Sequence, residues 1–446
     1  MNRRKLTAIS AALLLCATAA FARKTPGENP PYPQIINIQS RQCTSLDGKW
    51  KYVVDPYGTG YYNYRLISNA VGETFFADKS FDDDKTKLIE YNFDRNQALD
   101  VPGDWNTQVE KLYYYEGKLW YRTKFTAAPE KGKRYFLYFG AVNYEAVVGL
   151  NGKKIFCRGV SIHEEAPFSN GRIVSEDQDR ILLDWAKELG CNFIRLAHYP
   201  HNEQMVRLAE EMGFLVWSEI PAYWTISWTN PETYANAEQQ LTDMIVRDIN
   251  RANVVVWSVA NETPLSDERL AFLSRLIDKA RELDPTRLVG AAMEKEKIED
   301  GLWTVADPLI SKVDLISFNQ YMGWYTGTSD ICASVRWVFP EEKPVFISEF
   351  GAGALYGLHG DKSERFTEEY MADCYRQNIE MMSERMPGFS GATPWVLKDF
   401  RSPRRALAGI QDDFNRKGLV SEKGQKKSAF YIVQEWYESL KTKFGK

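Results

Sequence analysis

Residues 253–264 read NVVVWSVANETP. Val254, Val255, Val256, Trp257 and Val259 make the apolar, β-branched run expected of a strand buried on both faces of a parallel sheet. The run then ends in Asn261 and Glu262, an amide followed by a carboxylate. A strand this apolar that delivers an acid at its carboxyl end is either a solvated strand end or part of a site. Its neighbours in the sequence decide between the two.

From Phe156 onward similar runs recur: FCRGVSI, NFIRLA, FLVWSEI, VVVWSVA, RLVGAAM, VDLISFN, PVFISEF and GATPWVL. Between most of them lie stretches with apolar residues three and four apart, at 182–189, 203–212, 237–249, 268–283, 368–382 and 428–440, which predict helices. Asn202 and Asp267 are the expected N-caps, and Gly190 and Gly213 the expected stops. Strands alternating with helices imply a parallel sheet, and about eight units close into an α/β (β/α)8 TIM barrel. An open doubly wound sheet is the other arrangement, but no glycine-rich phosphate loop follows the first strand. The barrel is therefore expected over 156–446.

Residues 23–155 have a different grammar. GKWKYVV, LWYRTKFTA, KRYFLYFG and YEAVVGLNG are short, aromatic and partly alternating, and VPGDWN supplies turn chemistry between them. This predicts a partial antiparallel β-sandwich of jelly-roll type. Ahead of it, Arg3, Arg4 and Lys5 precede an apolar run from Leu6 to Phe21 that ends in Ala20-Phe21-Ala22. That pattern reads as a signal peptide over 1–22, giving a periplasmic or secreted chain that starts at Arg23. Lipidation at Cys16 is disfavoured because bulky Leu15 stands where a small residue is expected. Cys43, Cys157, Cys191, Cys332 and Cys374 are spread too widely for a disulfide framework or a zinc site. No later stretch is apolar enough to span a membrane, and a net charge of −4 gives no footprint for nucleic acid. The 13 Trp, 24 Tyr and 23 Phe supply flat ring faces of the sort that pack on sugars as well as in cores.

The barrel answers the question set by Glu262. Its active face lies at the carboxyl ends of the strands. Glu262 ends the fourth strand, and Glu349 in PVFISEFGAG ends the seventh, across the mouth. Paired carboxylates are the equipment of glycoside hydrolysis, one donating a proton and the other attacking carbon or activating water. Arg195 and His198 at the second strand, with His163 and Glu164 at the first, add polar groups to the same rim. No metal-ligand spacing appears, and no cofactor is implied.

Taken together, GVSIHEEAP, NFIRLAHYPHNEQMVRLAEEMGFLVW, VVVWSVANETP, NQYMGWY and ISEFG resemble successive signature segments of glycoside hydrolase family 2, which holds β-glucuronidases and β-galactosidases. The long second segment departs slightly, at Leu196 and Glu210. The resemblance implies Glu262 as general acid/base and Glu349 as nucleophile of a retaining exo-glycosidase, with Asn261 bonding a ring hydroxyl. NQYMGWY looks like the glucuronidase form of its segment, implying Asn319, Tyr321, Trp324 and Tyr325 near substrate. Asn415-Arg416-Lys417, close to Trp395, resembles the Asn-x-Lys uronate clamp. The chemistry is direct, since an ammonium and an amide N–H₂ can bind a C6 carboxylate that a galactoside lacks. Arg401, Arg404 and Arg405 add positive charge to the same loop.

Members of that family usually carry an immunoglobulin-like sandwich before the barrel, which needs about 100 residues. Here VGLNGKKIFCRGVSIHEE leads directly into the first barrel strand, which reads as an internal deletion. Three functions therefore stand: a β-glucuronidase, a β-galactosidase-type member with the same chemistry, and a non-catalytic carbohydrate-binding remnant. The sequence does not set the aglycone or the oligomeric state.

Overall fold

The computed structural model describes residues 8–16, 44–56, 85–86, 92–126, 145–150, 156–169 and 171–444. KRYFLYFG, Cys43 and residues 151–155 of the LNGKKI junction lie outside that set. Chain contacts divide the protein into two units, one of residues 1–30, 35–155 and 443–446, the other of residues 31–34 and 156–442.

The larger unit is a closed barrel of eight parallel strands in sequence order. They are β1 (Cys157–Ile162), β2 (Phe193–Leu196), β3 (Leu215–Glu219), β4 (Val254–Asn261), β5 (Leu288–Glu294), β6 (Ile316–Asn319), β7 (Val345–Glu349) and β8 (Phe389–Ala392). Six helices cover them: α1 (Glu176–Glu188), α2 (Glu203–Glu211), α3 (Pro231–Asp248), α4 (Asp267–Leu283), α5 (Glu368–Arg385) and α6 (Ser428–Phe444). These six match the six periodic stretches. After β5 and β6 stand single 3-10 turns, Pro308–Ser311 and Ser329–Ser334, where the sequence shows no helical period.

Helix ends follow local chemistry. Asn202 caps α2 through Oδ1, which accepts from Met205 N at 2.9 Å; such a cap contributes about 1 kcal/mol. At α4 the expectation shifts by one residue, because Ser266 is the N-cap and Asp267 the first helical residue. The Ser266 hydroxyl takes the Arg269 N–H, and Asp267 instead meets the positive end of the helix dipole. Gly190 and Gly213 end α1 and α2 at φ of +94° and +80°. Strand β8 stops at Ala392, short of the expected 391–397 run. Pro394 has no N–H to continue a ladder, and Trp395 crosses the rim instead, its N–H bonding Phe350 O at 3.0 Å.

Inside the barrel, Phe193, Trp217, Val256, Leu315 and Phe346 fill one layer. Gly391 makes room for it: a Cβ there would lie 2.7 Å from the Phe346 ring. Register sets the rim. Ala292 pairs with Asn261, Glu294 with Asn319, and Asn319 with Glu349, so the polar ends of β4 to β7 stand side by side.

The smaller unit holds a five-stranded antiparallel sheet in the order Ala98–Val101, Gly48–Asp55, Lys118–Thr126, Ala8–Cys16, Glu145–Leu150. Trp50, Tyr52, Leu99, Leu112, Leu119 and Tyr121 pack on it as one core. Ala8–Cys16, read above as the apolar centre of a leader outside the fold, is a strand here, paired with Lys118–Thr126 on one side and Glu145–Leu150 on the other. Glu145–Leu150, the last strand before the junction that reads as a deletion, is therefore paired along one edge. An apolar run satisfies the unpaired N–H and C=O groups that such an edge otherwise exposes.

Candidate active site

Arg195 anchors the site. Its side chain is fully buried at the end of β2, a costly place for a guanidinium unless every donor is paired. Nε and one terminal nitrogen grip Glu219, each at 3.0 Å. The other terminal nitrogen donates to Glu349 Oε1 at 2.7 Å and to Ser348 O at 3.0 Å. A further bond runs to Asn261 Oδ1 at 2.8 Å. His198 stands between the same two acids, with Nδ1 2.7 Å from Glu219 Oε1 and Nε2 3.5 Å from Glu349 Oε1. Trp395 stacks on the His198 ring at 4.6 Å.

The environment tunes these acids differently. Burial raises the Glu219 carboxyl, but Arg195 and His198 more than offset it and hold the group below the usual carboxylate range. Burial raises Glu349 as well; Arg195 and His198 pull it down, the Glu262 charge pushes it up, and the net position is above its ordinary value. Its second oxygen accepts the Tyr321 hydroxyl at 2.6 Å. Burial, then the charges of Glu349 and Glu262, pushes the Tyr321 phenol far up, so it remains a donor.

Glu262 follows β4 with φ of +48°, a left-handed conformation that costs a non-glycine residue about 1–3 kcal/mol and turns its side chain into the mouth. Its carboxylate is half-buried. Asn319 Nδ2 donates to Oε1 at 2.9 Å, and Trp224 Nε1 donates to Oε2 at 3.1 Å. Asn319 is itself held by Ser348 Oγ on its Oδ1 at 2.7 Å and also bonds Asn261 Oδ1 at 3.1 Å. Glu262, Glu349, Asn261, Asn319, Arg195, His198 and Tyr321 thus form one connected network.

Lys417 lies beside this network, nearly buried, over the rings of Tyr325, Tyr321 and Trp324 at 4.7, 5.5 and 5.6 Å. Its ammonium donates to the Tyr325 hydroxyl at 2.7 Å, and Arg405 donates to the same oxygen at 2.9 Å. Among the described residues no carboxylate pairs with Lys417. Burial lowers its pKa, partly countered by Tyr325. Asn415 stands one turn back and accepts the Lys417 backbone N–H at 3.2 Å. Asp399 holds this loop from behind: fully buried, it receives Lys427 Nζ at 2.8 and 3.0 Å, Arg416 at 3.4 Å and Gly418 N at 2.8 Å.

Two rim residues stand apart from the acids. His163 packs against Phe400 at 4.2 Å and Trp395 at 5.1 Å, with Nδ1 3.2 Å from the Tyr199 hydroxyl. Desolvation there holds its pKa well below the usual imidazole value, so it is neutral at physiological pH. Glu164 accepts from Asn202 N at 2.8 Å and pairs with Arg172 at 3.3 Å, an anchor for the start of α2. Conversely, Glu219, Trp224 and Ser348 join the site without having been singled out in the sequence. FLVWSEI carries an acid at its penultimate position just as PVFISEF does, and that parallel was the available signal for Glu219. No periodicity marks Trp224.

The family described as "Glycosyl hydrolases family 2, TIM barrel domain" matches residues 142–442. The chain is 32% identical over 332 residues to a β-glucuronidase of Streptococcus agalactiae, covering 67% of this chain and 52% of that protein. It is 31% identical over 314 residues to the β-glucuronidase of Sus scrofa, covering 65% and 45%. A crystal structure of a family 2 β-galacturonidase from Eisenbergiella tayi bound to galacturonate is similar at a TM-score of 0.57 and 26% identity, over 66% of this chain and 52% of that one. The chain spans about half the length of the curated relatives it matches.

Proposed function

Because the chain belongs to glycosyl hydrolase family 2, we propose that it hydrolyses β-D-glucuronosides from their non-reducing end with retention at C1. Glu349 attacks C1 as a carboxylate while Glu262 gives its proton to the departing oxygen, breaking the glycosidic bond and forming a glycosyl ester. Water then attacks C1, Glu262 takes the water proton, and Glu349 leaves as a carboxylate. Arg195 and Tyr321, both donating to Glu349, support its ionised form at each end of the cycle. Retention calls for carboxyl groups about 5–5.5 Å apart.

The observation that carries the sugar assignment is Lys417, a nearly buried ammonium at the mouth with a phenol but, among the described residues, no carboxylate as its partner. A substrate carboxylate supplies the missing charge, with Asn415 and Arg405 beside it. A β-galacturonide is a second reading, since such a clamp reads the carboxylate and not the configuration at C4, and a similar structure holds galacturonate. Export to the periplasm or exterior is part of the proposal, supported by the basic, apolar, Ala-Phe-Ala pattern of residues 3–22.

A panel of chromogenic β-glycosides tests the assignment. Turnover of the glucuronide alone supports it, and turnover of the galacturonide alone selects the second reading. Turnover of the galactoside in preference to both overturns the clamp. Binding of glucuronate without turnover of any glycoside leaves the chain a carbohydrate-binding remnant.

A further inference from the structure

The Glu262 carboxylate has an inner and an outer oxygen. Oε1 faces Asn319, which is tied to Asn261 and Ser348 in the buried floor. Oε2 faces Trp224, whose side of the mouth is open: Trp224 is 48% exposed and its neighbour Tyr223 is 41% exposed. This outer pair is fastened to the strand that carries the acid. Tyr223 bridges to Asn261 in parallel register, Trp224 N donates to Asn261 O at 3.0 Å, and Asn261 N donates to Ala222 O at 2.9 Å. Trp224 takes φ of +55°, a conformation that a bulky residue seldom adopts and that persists where the surroundings demand it. The Arg404 guanidinium lies 5.0 Å from the indole centre, and the Tyr223 ring meets it edge-on at 5.6 Å.

Core packing does not account for a large ring left half in water on a constrained backbone. The proton path does. With Oε1 enclosed by Asn319, Oε2 is the oxygen open to a glycosidic oxygen. Whatever hangs from that oxygen on the side away from the sugar then lies against Trp224. We infer that Trp224, with Tyr223 and Arg404, forms the leaving-group subsite of this chain and takes a flat aromatic aglycone. The inference rests on the uronoside reading above and names what that reading leaves open. An indole face and an adjoining guanidinium favour a planar π-system over a small alkyl group, through area and ring contact together.

Binding without turnover tests it. Calorimetric titration of the Glu349→Gln chain with 4-nitrophenyl β-D-glucuronide and with methyl β-D-glucuronide gives the preference for an aryl over an alkyl leaving group. Adding Trp224→Ala is expected to reduce that preference roughly 2- to 10-fold. Adding Trp224→Phe, which keeps a ring and loses the N–H to Glu262, is expected to retain most of it. An unchanged preference in Trp224→Ala overturns the subsite, as does a loss in Trp224→Phe equal to that in Trp224→Ala. If neither glycoside binds while Trp224 is intact, the uronoside reading itself fails and the subsite fails with it.

Discussion

Arg195 and Glu219 meet fork to fork, Nε on Oε2 and a terminal nitrogen on Oε1, both at 3.0 Å, with neither side chain reaching solvent. The pair fixes the plane of the guanidinium, and that plane aims its remaining nitrogen at Glu349. Geometry set at β2 and β3 is thereby delivered across the barrel to the proposed nucleophile at the end of β7.

Replacing Arg195 by Gln is expected to move the pH profile in one direction. Burial already holds the Glu349 carboxyl above its ordinary value, and Arg195 is the strongest influence lowering it. Without that cation the carboxyl rises further. Because the nucleophile must be ionised, the acid limb of kcat/KM should shift to higher pH. Thermal unfolding should also show a loss of about 3–5 kcal/mol, from Glu219 left buried without its partner. An acid limb that stays in place, or moves lower, would remove Arg195 from the tuning of Glu349.

Glu349→Gln should abolish turnover of every substrate. Glu262→Gln should retain turnover of glycosides with activated leaving groups, which need no proton, and lose it for alkyl glycosides by roughly 10²–10⁴-fold. Comparing dinitrophenyl and methyl glycosides reads this split directly. Wild-type rates for either variant on the methyl glycoside would show that the roles are assigned to the wrong acids.

Lys417→Ala should reduce kcat/KM for a β-glucuronide by roughly 10- to 100-fold, the worth of a hydrogen bond between charged groups. Slow turnover of the matching β-glucoside should change little, because it presents no charge to Lys417. Equal losses on both sugars would make the lysine a packing element of the loop.

Asp399→Ala leaves Lys427 without its carboxylate in a region closed to water, while Arg416 keeps Glu422 at 2.6 Å. A loss of about 3–5 kcal/mol in unfolding free energy is expected. Since Asp399 also holds Gly418 N, glucuronide KM should rise even at temperatures where the variant is folded. Unchanged KM in the folded variant would uncouple this ion cluster from the clamp.

If export removes residues 1–22, Lys118–Thr126 and Glu145–Leu150 lose the strand that lies between them. Limited proteolysis of a chain starting at Arg23 should then release peptides from residues 30–155 before any from 156–446, and should do so faster than in the 1–446 chain. Mass spectrometry of the digests identifies them. One resistant species from Arg23 to Lys446 would mean that the sheet closes without its leader strand.

What the sequence determined by itself is what depends on short range. The apolar runs from FCRGVSI to PVFISEF are strands because β-branched and aromatic residues fit a sheet buried on both faces, and the six periodic stretches are helices because they carry an apolar stripe. Once the barrel is recognised, strand ends mark the mouth, so Glu262 and Glu349 could be singled out by position alone. Only the tertiary structure decided which groups surround them. Arg195 was legible as a rim residue, yet its engagement with both Glu219 and Glu349 depends on barrel closure, which brings residues 154 apart in sequence to 2.7 Å. His163 and Glu164 looked like equals of His198; the structure packs the first among rings, ties the second to a helix start and sets His198 between Glu219 and Glu349. Trp224 was invisible for a similar reason: a loop residue has no period, and its contact with Glu262 comes from Tyr223 pairing with Asn261 across the chain. Residues 8–16 were likewise not readable locally, because one apolar run suits both a leader and a strand; in the 1–446 chain they pair between Lys118–Thr126 and Glu145–Leu150.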